Sequence, residues 1–343
     1  MSTAAWVLGV DSGGSGLRIA LATAGVEGGV TEGGVTQGGV RLVDSVVFGE
    51  PVRTGAGGID AGHLLQRLVP AAEGLLGRAG ADRLAAVAVG AAGMATLGGD
   101  LRATLPGALR RSLGVGRLAL AADAVTAYAG ALGQRPGAVV AAGTGLIALG
   151  TDLSGWRRAD GWGHLLGDCG SGAWIGRAGL EAAMRAHDGR RGGSAALLAR
   201  AEAVFGPPAT LPGQLYPRAD RPAVLASFAP EVARCGAAGD PVSVGILARA
   251  AGHIAEAAAA VCPPGEDLEV ALTGGLFKMG DPLLLPLRAE LAEHLPYART
   301  VPAVGDPLDG ALVVAAALAA DTLRLPREPG MLDTTTPQPT DRT

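Results

Sequence analysis

Short apolar runs separated by glycine-rich polar turns organise the chain. Trp6-Val7-Leu8-Gly9-Val10 reads as a buried strand, Asp11-Ser12-Gly13-Gly14-Ser15-Gly16 as its turn, and Leu17-Arg18-Ile19-Ala20-Leu21 as the returning strand. A five-residue period follows, Gly28-Gly29-Val30-Thr31-Glu32, Gly33-Gly34-Val35-Thr36-Gln37, Gly38-Gly39-Val40; it is too short for a solenoid and reads as an extended hairpin tip. A third strand is predicted over 41–48. Helical periodicity covers 59–78, with Pro70 expected to kink or break it. A strand at 84–91, a helix at 100–113 and a strand at 117–121 complete this half. The second half restarts in the same way: strand 138–142, turn Gly143-Thr144-Gly145, strand 146–150. Helices are predicted at 171–187, 194–204, 222–235 and 241–261. A strand at 268–273 runs into Gly274-Gly275, followed by helices at 282–294 and 308–323. Residues 326–343, rich in Pro and Thr, are expected to form a disordered tail.

A chain of 343 residues exceeds one ordinary core, so two domains are expected, 1–121 and 122–325. Aromatic residues make up only 3 %, so Ala, Val and Leu must fill both cores. The net charge of −4 and the lack of any basic run argue against a nucleic-acid partner. Cys169, Cys235 and Cys262 are too scattered for a disulfide framework or a zinc cluster. Asp11 interrupts the first apolar run, and no window holds 18 uncharged apolar residues; the expectation is a cytoplasmic protein with no membrane span. The only lysine, Lys278, lies in Gly275-Leu276-Phe277-Lys278-Met279, which excludes a Walker A loop. The chain has no asparagine at all.

The chemistry concentrates in three places. Asp160-Gly161-Trp162-Gly163-His164-Leu165-Leu166-Gly167-Asp168-Cys169-Gly170-Ser171 sets a Trp, a His and two carboxylates among glycines, a mixture suited to stacking on and hydrogen-bonding a polyhydroxylated ligand. The plainer alternative is a glycine-rich turn between two helices. The two strand–turn–strand units, at Gly13-Gly14-Ser15 and Gly143-Thr144-Gly145, can present backbone N–H groups to phosphate oxygens; loose hairpin glycines are the alternative for either alone. Asp11, at a strand end, can hold Mg²⁺ through water. Asp123 ends a strand where a helix begins, which suits either an N-cap or a general base that accepts the proton of an attacking hydroxyl.

Asp11-Ser12-Gly13-Gly14-Ser15, the Asp123 segment, Gly143-Thr144-Gly145, Gly161-Trp162-Gly163-His164…Gly167-Asp168 and Thr273-Gly274-Gly275 together resemble the successive motifs of the N-acetylglucosamine kinases, within the BadF/BadG/BcrA/BcrD ATPase group of the actin-like, sugar-kinase and Hsp70 fold. The resemblance covers about 5–325, in order. It implies an α/β fold of two ribonuclease-H-like (actin-like ATPase) domains with a ligand cleft between them, ATP and Mg²⁺ as cofactors, and a homodimer. It further implies Asp11 on the metal side, Gly13, Gly14, Ser15, Gly143, Thr144 and Gly145 at the phosphates, and Gly274 and Gly275 under the adenosine. Asp123 becomes the base, and Trp162, Gly163, His164 and Asp168 contact the sugar. Three positions depart from the pattern: the loop 53–58 lacks the usual Asn, Leu146 replaces a Ser and Cys169 replaces a Glu. All three remove polar groups on the sugar side. The function expected is ATP-dependent phosphorylation of an amino sugar, N-acetylglucosamine or glucosamine-like, at the C6 hydroxyl. A nucleotide-binding sugar sensor without turnover, and an ATPase activator of a partner enzyme, remain alternatives.

Overall fold

The computed structural model describes residues 5–14, 16–25, 35–36, 39–55 and 57–336. Ser15 and most of the pentapeptide insert lie outside the described residues. The chain divides into two compact units, and the division differs from the expected cut at 121/122. The first unit comprises Met1–Gly137, Thr151–Trp156 and Pro302–Thr343; the second comprises Ala138–Gly150 and Arg157–Val301. The last helix and the chain end therefore belong to the first unit.

The first unit is built on a seven-stranded sheet in the spatial order Leu332–Thr335, Leu118–Ala122, Ala86–Ala91, Ala5–Gly13, Gly16–Ala24, Val40–Phe48 and Val35–Thr36. Ala5–Gly13 runs antiparallel to Gly16–Ala24 but parallel to Ala86–Ala91, which is in turn parallel to Leu118–Ala122. The parallel strands are covered on both faces, which is why they read as unbroken apolar runs. Helix Pro307–Ala319 packs on the first strand, where the absent side chain of Gly9 leaves room for Leu312. The same helix meets helix Asp123–Leu132 backbone to backbone, Gly310 on Thr126 and Gly130 on Asp306. With few aromatic residues available, such close glycine approaches bring the layers into dense contact.

The second unit carries a five-stranded sheet ordered Trp156–Asp160, Leu146–Thr151, Gly137–Ala142, Leu268–Thr273 and Ala298–Pro302. Helices Gly172–His187, Ala195–Phe205, Arg221–Ser227, Ala229–Ala237, Pro241–Val261 and Asp281–His294 enclose its core around Ile175, Phe228, Ile254 and Leu287. Pro241–Val261 is long and apolar enough by composition to cross a membrane, and half of it is buried inside the protein. Its buried residues include Ile246, Leu247, Ala250 and Ile254, the face it turns to this core.

Four details differ from the pattern-based reading. Ala61–Ala79 is one helix that retains Pro70, losing a single backbone hydrogen bond rather than breaking. The helix expected over 222–235 is divided at Phe228, just before Pro230, whose missing N–H cannot continue the first segment. The last helix stops at Ala319 instead of 323; beyond it Arg117 binds both Leu318 O and the Asp321 carboxylate. The tail expected from 326 is ordered as far as 336: Leu332–Thr335 pairs antiparallel with Leu118–Ala122, and Leu332 is buried. Besides buried Leu332, Trp156 donates to the carbonyl of Pro326 and to the Glu328 carboxylate, and Arg102 pairs with Asp333, while 337–343 lie outside the described residues.

Candidate active site

In the first unit, Asp11 and Asp123 stand at one end of the sheet. Asp11 is in register with Gly90, and Gly90 with Ala121, so the three parallel strands finish side by side and Asp123 follows directly on the third. At the usual spacing of neighbouring strands, the Asp11 and Asp123 strands lie about 10 Å apart. Carboxyl ends of adjacent parallel strands are where open α/β sheets bind ligands. Gly13 ends the first strand and Gly14 begins its turn, and a Cβ on either would meet nothing within 4 Å, so this backbone faces open space. Asp123 occupies the first position of helix Asp123–Leu132; the N-cap is Ala122, so the capping role expected for Asp123 falls to a residue with no capping side chain. The Asp123 carboxylate accepts the N–H of Ala124 at 2.9 Å, and its carbonyl accepts the hydroxyl of Thr126 at 3.0 Å.

Asp11 has a partner that motif reading passed over. Arg18, opposite it across the hairpin, donates through Nε at 3.0 Å and a terminal nitrogen at 2.7 Å, while its other terminal nitrogen reaches Asp306 at 2.5 Å. Asp306 caps helix Pro307–Ala319 in a reciprocal box with Asp309. Burial pushes the Asp11 carboxyl above its ordinary value, and the Arg18 hydrogen bond opposes that push. Burial does the same at Asp309. The signals were present in the sequence: positions 11 and 18 lie symmetrically about the turn, and Asp306-Pro307-Leu308-Asp309 is a helix-start signature. Among the described residues no group of three or more His, Cys, Asp and Glu forms a ready metal cage. Asp11 suits a water-mediated cation contact, since a buried carboxylate gains from nearby positive charge and its Oδ1 accepts no hydrogen bond from a described residue.

In the second unit, the turns at 143–145 and 274–275 belong to adjacent strands, Gly137–Ala142 and Leu268–Thr273. Gly274, at φ +107°, lies against the backbone of Ala142 and leaves no space for a Cβ. Thr144 is exposed at the tip of its turn, and the carbonyls of Gly143 and Thr144 accept the N–H groups of Gly172 and Ala173 at 2.9 and 3.0 Å. The start of helix Gly172–His187 thus fixes the turn while Gly143 faces open space.

The 160–169 loop closes onto the same turn. Asp160 accepts the backbone N–H groups of Asp168 and Cys169, the latter at 2.8 Å. Asp168, only 9 % exposed, accepts the N–H of Gly163 at 3.1 Å and that of Leu146, so it ties the loop to the 143–145 turn. Burial drives its carboxyl above the ordinary range; the Gly163 N–H opposes this and neighbouring Asp160 adds to it. Arg158 donates to the carbonyls of Asp160 and Gly161 and lays its guanidinium 4.6 Å from the Trp162 ring centre, leaving Trp162 64 % exposed. His164 Nε2 is buried without a hydrogen-bond partner. Burial, and then Asp160, push the Cys169 thiol up, so it stands there uncharged. Arg158 lay outside the motif, and Asp160 stood in it as one of its two carboxylates without a stated role; together they hold this loop.

The first unit therefore groups Asp11, Gly13, Gly14 and Asp123, and the second groups Gly143, Thr144, Gly145, Gly163, Asp168, Gly274 and Gly275, with Trp162 and His164 on the same loop. Carboxylates at a sheet end and glycine-lined turns on α/β units are an arrangement suited to binding phosphate groups. The chain belongs to the BadF/BadG/BcrA/BcrD ATPase family, whose model matches residues 8–310. It is 29 % identical over 187 residues to the N-acetylmuramic acid/N-acetylglucosamine kinase of Clostridium acetobutylicum, an alignment covering 54 % of this chain and 55 % of that protein. The match thus spans about half the length of this relative. Among solved structures, a protein of Chromobacterium violaceum assigned as an N-acetylglucosamine kinase superposes with a TM-score of 0.69 at 27 % identity, over 92 % of this chain and 99 % of that one. The ROK hexokinase of Thermus thermophilus gives 0.56 at 18 % identity, over 92 % and 99 %, and shares the fold.

Proposed function

We propose that the chain is an ATP-dependent kinase of amino sugars, with the C6 hydroxyl of an N-acetylglucosamine- or glucosamine-like sugar as acceptor. The observation that carries this reading is the placement of Asp11 and Asp123 at the same end of two parallel strands separated by one strand, in a chain of this family. The names of the relatives from Clostridium acetobutylicum and Chromobacterium violaceum support it. In the proposed reaction the sugar hydroxyl attacks the γ-phosphorus, its proton passes to Asp123, the bond to the bridging oxygen breaks, and ADP leaves. Phosphoryl transfer passes through a loose transition state, so alignment and charge neutralisation supply most of the acceleration. Backbone N–H groups at 13–14 and 143–145 would hold phosphate oxygens, and Gly274 and Gly275 would lie under the adenosine. Mg²⁺, beside Asp11, would neutralise charge on the phosphates. The loop bearing Trp162, Gly163, His164 and Asp168 would bind the sugar, with Asp160 and Arg158 holding it in shape.

The test is ADP release and phosphosugar mass over a panel containing glucose, glucosamine, N-acetylglucosamine, N-acetylmannosamine and N-acetylmuramic acid. The expected result is sugar-dependent ADP release, with a 6-phosphate product from at least one amino sugar. ADP release that no sugar alters overturns the kinase reading, and sugar binding without ADP release favours the sensor.

A further inference from the structure

A cavity of about 570 Å³ opens beside the 160–169 loop, within the second unit. His164, Gly167 and Cys169 form its loop wall, and Leu180, Met184, Leu211 and Leu225 its far wall. It is of the size that takes a drug-sized ligand, far more than an acetyl methyl needs. The polar groups around it are largely spoken for. Arg221 donates to the carbonyls of Leu215 and Tyr216, and Glu181 is paired with Arg185. Cys169 contributes an uncharged thiol where the resembled family carries a carboxylate. The Arg177 guanidinium, the Trp174 indole N–H and the Tyr216 hydroxyl, none of them hydrogen-bonded to a described residue, remain for a ligand. Leu165, Leu166 and Tyr216, all exposed, surround the opening.

We infer that this cavity receives a bulky apolar substituent of the sugar, an acyl group longer than acetyl, with the sugar ring held at the 160–169 loop. The assignment rests on the amino-sugar reading above for where the ring sits. Its own ground is the continuity of His164, Gly167 and Cys169 with the leucine and methionine walls.

Isothermal titration of the full-length chain with N-acetyl-, N-butanoyl- and N-hexanoyl-glucosamine tests it, alongside ADP release with each. A buried methylene is worth about fourfold in affinity, so Kd is expected to fall at least about tenfold from acetyl to hexanoyl. Met184→Trp, which fills the cavity, should abolish that gain and leave the acetyl Kd unchanged; Tyr216→Ala, at the exposed rim, should reduce the gain and tests the same wall if the first variant does not fold. A flat series overturns the inference even where N-acetylglucosamine is phosphorylated, as does a gain that neither variant alters. Tighter binding of N-succinyl-glucosamine than of the butanoyl compound also overturns it, in favour of an anion held by Arg177. A graded series with no ADP from any member supports the cavity and overturns the kinase reading instead; no binding by any member overturns both.

Discussion

A side chain that takes the proton of an attacking hydroxyl must sit where phosphates and acceptor meet, and Asp123 follows directly on a strand whose neighbour but one carries Asp11. Asn at 123 keeps the shape and can still accept the N–H of Ala124 through its amide oxygen, but it is no proton acceptor. General-base help is worth roughly 10²–10⁴-fold. Asp123→Asn is expected to lower kcat by that factor while nucleotide affinity, measured by titration, stays within about twofold. Near-normal turnover would place the base elsewhere. Asp168 offers a second test, through pH. Its carboxyl is raised in the folded chain, so its contribution to stability is present below the unfolded value and is lost as pH rises through the folded one. Asn at 168 carries no charge to desolvate and escapes this loss. The Tm of Asp168→Asn relative to the natural chain should therefore climb between pH 4 and pH 7, and a difference that falls over that range would contradict burial as the dominant cause.

Two elements that are not neighbours in sequence, the 143–145 turn and the 160–169 loop, are locked by the fit of one glycine. A Cβ at Gly145 would lie 2.6 Å from the Asp168 carboxylate, and Asp168 cannot retreat while it accepts from Gly163 and Leu146. Gly145→Ala should cost about 1–3 kcal/mol, the usual range for overpacking. It should also raise sugar KM several-fold more than ATP KM, because the displaced group belongs to the loop. Steady-state kinetics with each substrate varied in turn would measure the split, and equal rises would refute this link. Gly274 depends on a similar closeness to Ala142, with a left-handed φ as an added constraint.

At the scale of the molecule, the first unit is completed only by the last part of the chain. Helix Pro307–Ala319 supplies Leu312 against Gly9, Gly310 against Thr126, and Asp306 to Arg18, while Leu332–Thr335 adds the outer strand beside Leu118–Ala122. A chain ending at Val301 lacks all of these, although the second unit keeps its residues. Such a truncation is expected to lose hydrogen-exchange protection throughout Ala5–Gly13 and Leu118–Ala122 while Pro241–Val261 stays protected. Protection retained in those two strands would show that the first unit does not need its C-terminal portion.

The sequence by itself determined the elements whose cause is local. Continuous apolar runs marked the strands at 6–10, 84–91 and 117–121, the first of which continues through Asp11–Gly13 where a turn was expected, and the glycines after Asp11 and Ala142 placed the candidate phosphate loops. Those signals are legible because burial on both faces demands apolar residues without interruption, and tight turns demand glycine. Edge strands Trp156–Asp160 and Ala298–Pro302 escaped, since a strand with one neighbour and a wet face needs no such run. The break at Phe228 was nevertheless foreshadowed by Pro230. What only the tertiary structure decided were pairings between distant parts of the chain: Arg18 with Asp306, Asp168 with Leu146, Leu332 with Ala121, and the assignment of the last helix to the first unit. Hydrophobic periodicity records which face of an element is buried, not against what. A partner 288 residues away leaves no periodic trace, so it is fixed only when the whole chain packs.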